Sequence, residues 1–169
     1  IHFVFVPAIL YATLLIAAHF PLFGFRGLAL ASHKLTWASL IAALYAAFYA
    51  TLDPRLGPIY SLVVVAGYVH AARFVQRERS ACPRGSSFLA IEGTSGRALR
   101  LAFAIQLVSW YAQLHPGHAV FEKVKPALRD SLGQALSVAP LFAFYEGVWA
   151  LGLEPRLQQQ TLAAVGERR

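Results

Sequence analysis

Apolar residues fall along this chain in five long runs separated by polar stretches. The runs are Phe3 to Phe25, Leu35 to Leu52, Ile59 to Val75, Leu99 to Leu114 and Leu132 to Leu153. Each approaches the ~20 mostly apolar residues that a helix needs to cross a bilayer. The pattern predicts an all-α fold, a multi-spanning transmembrane bundle of four to five helices. Asp53-Pro54-Arg55-Leu56-Gly57-Pro58 has the composition of a short turn, so the second and third runs should form an antiparallel hairpin. The stretch from Arg73 to Arg100 carries Pro83, Gly85, Gly93 and Gly96 and reads as an exposed loop. Gln158 to Arg169 reads as a frayed polar tail.

The last two runs are less uniform. Run four contains Gln106, Ser109 and Gln113, and run five contains Gln134, Ser137, Pro140 and Glu146. Polar side chains at such depth are costly against lipid, so they should face the bundle interior. Pro140 should kink its helix. Either run could be partly re-entrant. Four spans, with a re-entrant or interfacial helix near residues 118–131, is therefore the alternative to five. No repeat of fixed period is present. No polar linker divides the chain, which predicts one membrane-embedded domain over residues 1–169. The sequence opens mid-pattern at Ile1-His2-Phe3 and contains no methionine, so a further N-terminal segment is expected upstream.

Composition points the same way. The chain is 57% apolar and only 14% charged, with a mean hydropathy of +0.53. Soluble domains sit near ~45–50% apolar and ~25% charged. Lipid can cover a surface for which these charges are too few. The net charge of +7 is carried in the stretches between apolar runs. That placement suits membrane orientation and anionic lipid headgroups rather than nucleic acid. With five spans, one side collects Arg26, Lys34, the Arg73–Arg100 cluster, Arg156, Arg168 and Arg169. The other collects Arg55, Lys123, Lys125 and Arg129. Eleven basic residues against four make the first side cytoplasmic. Cys82 is the only cysteine, so no intrachain disulfide forms, and its polar setting suggests an ordinary thiol.

Chemistry concentrates between Trp110 and Lys123. His115, His118 and Glu122 fall within eight residues, around the Pro116-Gly117 turn. If a helix begins near His118, then His118 and Glu122 share a face. Imidazole and carboxylate together suit iron, manganese or zinc, but two ligands do not make a site. His2 is the natural further candidate, because five spans place it on the same side as His118. The bland reading of all three histidines is interfacial groups satisfied by headgroups or backbone, and spacing alone favours it. His19, deep in the first run, is expected to be a buried hydrogen-bonded histidine. His33 should be solvated, and His70 should reach the interface. Glu146 in an apolar helix marks either an internal ion pair or a functional carboxylate. No phosphate loop, serine elbow or cysteine-rich knuckle is present.

Two parts of the chain carry a resemblance. One is Ile1 through Leu10 (IHFVFVPAIL). The other runs from Trp110-Tyr111-Ala112-Gln113 through Gly117-His118, Phe121-Glu122-Lys123, Pro126-Ala127-Leu128, Asp130-Ser131-Leu132 and Gln134-Ala135-Leu136 to Ala139-Pro140-Leu141-Phe142. Together with the Leu52-Asp53 turn, and with Gly152 and Pro155-Arg156-Leu157, these resemble the fungal 2-hydroxy-palmitic acid dioxygenase family. The resemblance implies a small endoplasmic-reticulum membrane enzyme. It would use ferrous iron and dioxygen to shorten 2-hydroxy fatty acids by one carbon in phytosphingosine breakdown. It implies His2 and His118 as iron ligands, with a further histidine-rich element upstream. Residue type then suggests Glu122 as an acceptor orienting a ligand histidine, Gln113 as a donor to the substrate carboxylate, and Lys123 and Lys125 as attracting charges. His115 is an additional candidate ligand, in a segment one residue longer than the family pattern. Val124 stands where the family has a basic residue. The competing classes are a non-enzymatic lipid-binding or scaffold membrane protein, and a small transporter coupled through Glu146.

Overall fold

The computed structural model describes residues 2–22, 29–30, 33–81, 96–114 and 132–166. Within these the chain forms six helices and one small ribbon. The elements are α1 (His2–Ala17), β1 (Ala29–Leu30), β2 (His33–Lys34), α2 (Trp37–Leu52), α3 (Gly57–Ala81), α4 (Arg97–Ala112), α5 (Leu132–Ala150) and α6 (Pro155–Gly166). The ribbon is antiparallel, pairing Ala29 with Lys34 and Leu30 with His33. The expected helical class holds, and five of the six helices fall on the five apolar runs. Two expectations fail. The stretch assigned to a loop from Arg73 is helical to Ala81 and again from Arg97, and the tail assigned as frayed forms α6. Among the described residues only α3 is long and apolar enough to cross a membrane, and α1 and α2 are shorter apolar helices. The segment 118–131, expected to be re-entrant or interfacial, lies outside the described residues.

α1 is the central helix. It packs most extensively on α4 and also touches α2, α3 and α5. A helix apolar on every face suits that place. Leu10, Leu14 and Leu15 are buried in the core. Around them the most completely buried positions are mostly alanines: Ala12, Ala38, Ala42, Ala71, Ala98 and Ala102 are all essentially fully buried. Small side chains let helix backbones approach closely.

Local chemistry fixes the order of the helices. α1 ends in a turn at Ala18–Phe20, and the Trp37 N–H donates to the Phe20 carbonyl at 3.1 Å. The Ser39 hydroxyl accepts from the Thr36 backbone N–H at 3.2 Å, holding the first turn of α2. α2 therefore starts where α1 finishes. At the other end the Asp53 carboxylate accepts from the Arg55 and Leu56 N–H groups at 2.7 and 3.1 Å. This is the turn that Asp favours, and it delivers the chain into α3. Gly57 is required there, since a Cβ would lie 1.9 Å from the Tyr49 carbonyl oxygen. Ser61 ties the pair further, donating to the Ala46 carbonyl at 2.8 Å. The expected hairpin of the second and third runs is thus formed.

α3 ends beside the end of α1, where the Arg79 guanidinium donates to the His19 carbonyl at 2.8 Å. The Glu78 carboxylate takes the Arg97 and Ala98 N–H groups at 2.6 and 3.1 Å. These are free donors at the start of α4, and a carboxylate there both satisfies them and complements the helix dipole. α4 consequently runs antiparallel to α1. Gln106 confirms the pairing, with Nε2 donating to Thr13 Oγ1 at 3.0 Å and to the Ile9 carbonyl at 3.3 Å.

α5 continues through the buried Pro140. Its C-terminal half lies against the α2–α3 turn and the start of α1: Phe144 stacks on Tyr60 at 4.9 Å, and Gly147 abuts the Phe3 ring. Five alternating crossings would have put this half at the opposite end. α5 stops in a Schellman cap, with Leu153 N–H on the Val148 carbonyl, Gly152 N–H on the Trp149 carbonyl and Gly152 at φ +72°. Pro155 then opens α6 at the position proline prefers.

Candidate functional site

The antiparallel α1–α4 pair sets the geometry. Ile9 and Gln106 are hydrogen-bonded at mid-bundle. His2 lies seven residues before Ile9, and Gln113 lies seven residues after Gln106. Seven residues make about two helical turns, or roughly 10 Å. Both residues are therefore displaced the same distance toward the same end of the bundle, each on the side of its helix that faces the other. His2 is the first helical residue of α1 and is half-buried.

Gln113 is 5% exposed, and its Nε2 has no hydrogen-bond acceptor among the described residues. It sits where α4 widens into a π turn over Gln113–Leu114. A buried amide donor without an acceptor costs about 1–3 kcal/mol, so its persistence calls for a partner. The inward orientation expected for the polar residues of this run holds. Ser109 is buried, and Gln106 also accepts from Trp110 Nε1 at 3.0 Å.

The same end gathers polar groups from α2 and α5. The Tyr145 hydroxyl donates to Asp53 Oδ2. That bond, with the Arg55 and Leu56 N–H groups and the Arg55 charge, outweighs burial and holds the Asp53 carboxyl below its ordinary value of 3.8. Tyr145 stacks on Trp149 at 5.8 Å. Trp149 Nε1 and the Tyr49 hydroxyl are buried with no partner among the described residues. Pattern reading did not find the Asp53–Tyr145 contact. The two residues are 92 positions apart, and Asp53 read only as a turn residue. Glu146 is half-buried.

His115, His118, Glu122, Lys123 and Lys125 lie outside the described residues. Of the candidate metal and catalytic set, the structure therefore brings His2 and Gln113 to one end, with the chain leaving α4 toward His115 directly after Leu114. Among the described residues no group of three histidine, cysteine or acidic side chains is placed to hold a metal ion. His2 alone cannot hold one. Its imidazole is nonetheless the donor type that ferrous iron takes, and it stands at the end from which the segment carrying His115 and His118 departs.

Of the other histidines, His19 and His70 each make a hydrogen bond. His19 is buried, with Nδ1 2.9 Å from the Leu15 carbonyl, as expected of a structural histidine. His70 is hydrogen-bonded to the Tyr11 hydroxyl at 2.8 Å. The side chain of His33 is outside the described set.

A model of the family described as 2-hydroxy-palmitic acid dioxygenase Mpo1-like matches residues 1–149. The 2-hydroxy-palmitic acid dioxygenase MPO1 of Saccharomyces cerevisiae is 47% identical over 51 residues, which is 30% of this chain and 29% of the yeast protein. No solved structure matches.

Proposed function

The chain belongs to the 2-hydroxy-palmitic acid dioxygenase Mpo1-like family, and from that premise we propose that it is a membrane-embedded, iron-dependent dioxygenase. It shortens 2-hydroxy fatty acids by one carbon in phytosphingosine breakdown at the endoplasmic reticulum. The observation that carries this reading is the antiparallel α1–α4 pair, which takes His2 and the Gln113 amide, without an acceptor among the described residues, to one end of the bundle.

His2, His115 and His118 would hold the ferrous ion, which supplies dioxygen chemistry when bound. Gln113 Nε2 donates to the carboxylate of the 2-hydroxy acid, which gives the buried amide its missing acceptor. Lys123 and Lys125 draw the anionic head toward that end, and Glu122 orients a ligand histidine by accepting its second ring N–H. The acyl tail lies among the apolar helices.

Membrane embedding is supported by the distribution of side-chain size. Alanines fill the helix interfaces, while large apolar residues such as Leu44, Leu62 and Leu107 are 61%, 70% and 73% exposed. A water-facing bundle would have this the other way round. The 16-residue helices α1, α2 and α4 reach about 24 Å each. That is nearer the ~27 Å hydrocarbon of the endoplasmic reticulum than thicker membranes. The chain also leaves α4 and returns in the second half of α5 at the same end, which favours four crossings with a re-entrant or paired passage over five.

The test uses the full-length protein purified in detergent. It should contain stoichiometric iron and convert 2-hydroxypalmitate to the acid one carbon shorter only in the presence of dioxygen. His2→Ala and His118→Ala should each lower both iron content and turnover by about 100-fold or more. Full-length protein with neither bound iron nor chain-shortening activity would end the proposal.

A further inference from the structure

The outward face of α3 carries a feature that the proposed chemistry does not use. A groove of about 480 Å³ is lined by Leu62, Val65, Val69, His70, Arg73 and Arg77, among others. These residues recur at helical spacing along one stripe, apolar in its first half and cationic in its second. Leu62, Val65, Arg73 and Arg77 are exposed. The nearest acid on the same helix, Glu78, is buried, with its carboxylate engaged at the start of α4. Among the described lining residues there is no acid to neutralise the two guanidinium groups.

The stripe has the dimensions of one leaflet. Leu62 to Arg73 spans eleven residues, or roughly 16 Å of helix, close to half of the ~30 Å hydrocarbon core. An acyl chain lying on Leu62, Val65 and Val69 would bring a headgroup phosphate level with Arg73 and Arg77. Guanidinium forks suit phosphate oxygens. We propose that this groove binds one anionic glycerophospholipid, with its phosphate between Arg73 and Arg77.

The fatty-acid substrate does not fit the same place. Arg73 lies sixteen residues along α3 from Gly57, roughly 24 Å from the end that holds His2 and Gln113. A carboxylate bound there would be a bundle length away from the candidate site. The inference rests on the membrane reading above, but its test separates the two.

The full-length protein in neutral detergent is incubated with equal dioleoylphosphatidylserine and dioleoylphosphatidylcholine, and retained lipid is read by native mass spectrometry. One phosphatidylserine should be retained in preference, by about fivefold for each contributing arginine. Arg73→Gln with Arg77→Gln should bring the preference to parity, whereas Arg73→Lys with Arg77→Lys should keep part of it. Equal retention by the wild type, or an undiminished preference in the double glutamine variant, overturns the proposal. So does displacement of the lipid by millimolar inorganic phosphate or by palmitate. Flotation of the protein with pure phosphatidylcholine vesicles is measured alongside. Failure to float sinks the membrane reading, and flotation without lipid preference sinks this one alone.

Discussion

Gln113 holds a buried amide nitrogen with no acceptor among the described residues. Two explanations of such a group differ in what its removal does. If the nitrogen serves only the fold, Gln113→Leu removes an interaction and destabilises. If it waits for a carboxylate, Gln113→Leu removes a desolvation cost and leaves the fold as stable or up to ~1 kcal/mol more so. Turnover would then fall about 10- to 100-fold in kcat/KM, the worth of a hydrogen bond to a charged group. Thermal melting and kinetics on one variant check both halves. Asp53 gives the opposite case, a polar side chain fully used by the structure. Its carboxyl sits below the usual 3.8 because the Tyr145 hydroxyl and two backbone N–H groups favour the ionised form. A depressed folded-state value means the stabilisation is complete above pH 3.8 and disappears as pH falls through the lower folded value. Asp53→Asn keeps an acceptor for the backbone N–H groups but removes its charge, and should therefore cost about 1 kcal/mol at neutral pH, the difference between a charged and a neutral acceptor. The gap to the wild type should close as melts are taken to more acid pH. A gap that stays constant would sink this assignment. Gln113 was legible as a polar residue in an apolar run, and His19 as a buried histidine. Asp53 was legible only as a turn former, because its bond to Tyr145 depends on how distant helices pack.

At the level of elements, the five apolar runs located five helices, since burial or lipid contact demands long apolar stretches whatever the tertiary arrangement. The ends were less legible, for a physical reason. Arg73, Arg77 and Arg79 break the apolar pattern and so read as loop, but arginine is a good helix former. Long side chains can remain in water while the backbone stays helical, and α3 runs on to Ala81. α6 was obscured in the same way by Gln158 to Gln160, which are polar but helix-compatible behind Pro155. The two glycines inside α3 separate packing from propensity. A methyl at Gly57 meets the Tyr49 backbone oxygen at 1.9 Å, while a methyl at Gly67 meets only Leu14 and Tyr11 side-chain atoms at 3.9 and 4.0 Å. Gly57→Ala should force α2 and α3 apart at a cost of about 3 kcal/mol or more. Gly67→Ala should stabilise the helix by up to about 1 kcal/mol. Thermal unfolding of the two variants in one detergent checks the pair, and equal effects would show that the close approach at Gly57 is not limiting.

For the whole molecule, the membrane embedding proposed above implies a sidedness, which follows from which elements share an end. Asp53, Tyr145 and Phe3 are brought together by the Tyr145 hydrogen bond and the Gly147 contact. The Gly152 turn leaves α5 one helical turn beyond these contacts. The turn after α1, the end of α3 and the start of α4 are gathered at the opposite end by Arg79 and Glu78. Arg73, Arg77, Arg79, Arg97 and Arg100 lie toward that second end, so it should face the cytoplasm. Arg156, which five crossings would place with them, instead follows the first end. Cysteine labelling in sealed vesicles resolves this, using a Cys82→Ser background so that each introduced thiol is unique. Arg55→Cys and Leu153→Cys, both at exposed positions, should react with a membrane-impermeant maleimide from one side. Ser80→Cys, also exposed, should react from the other, cytoplasmic side. Reaction of Leu153→Cys together with Ser80→Cys would restore five alternating crossings. It would also remove the second half of α5 from the end that holds His2, and the aromatic wall of Tyr145 and Trp149 from the candidate site.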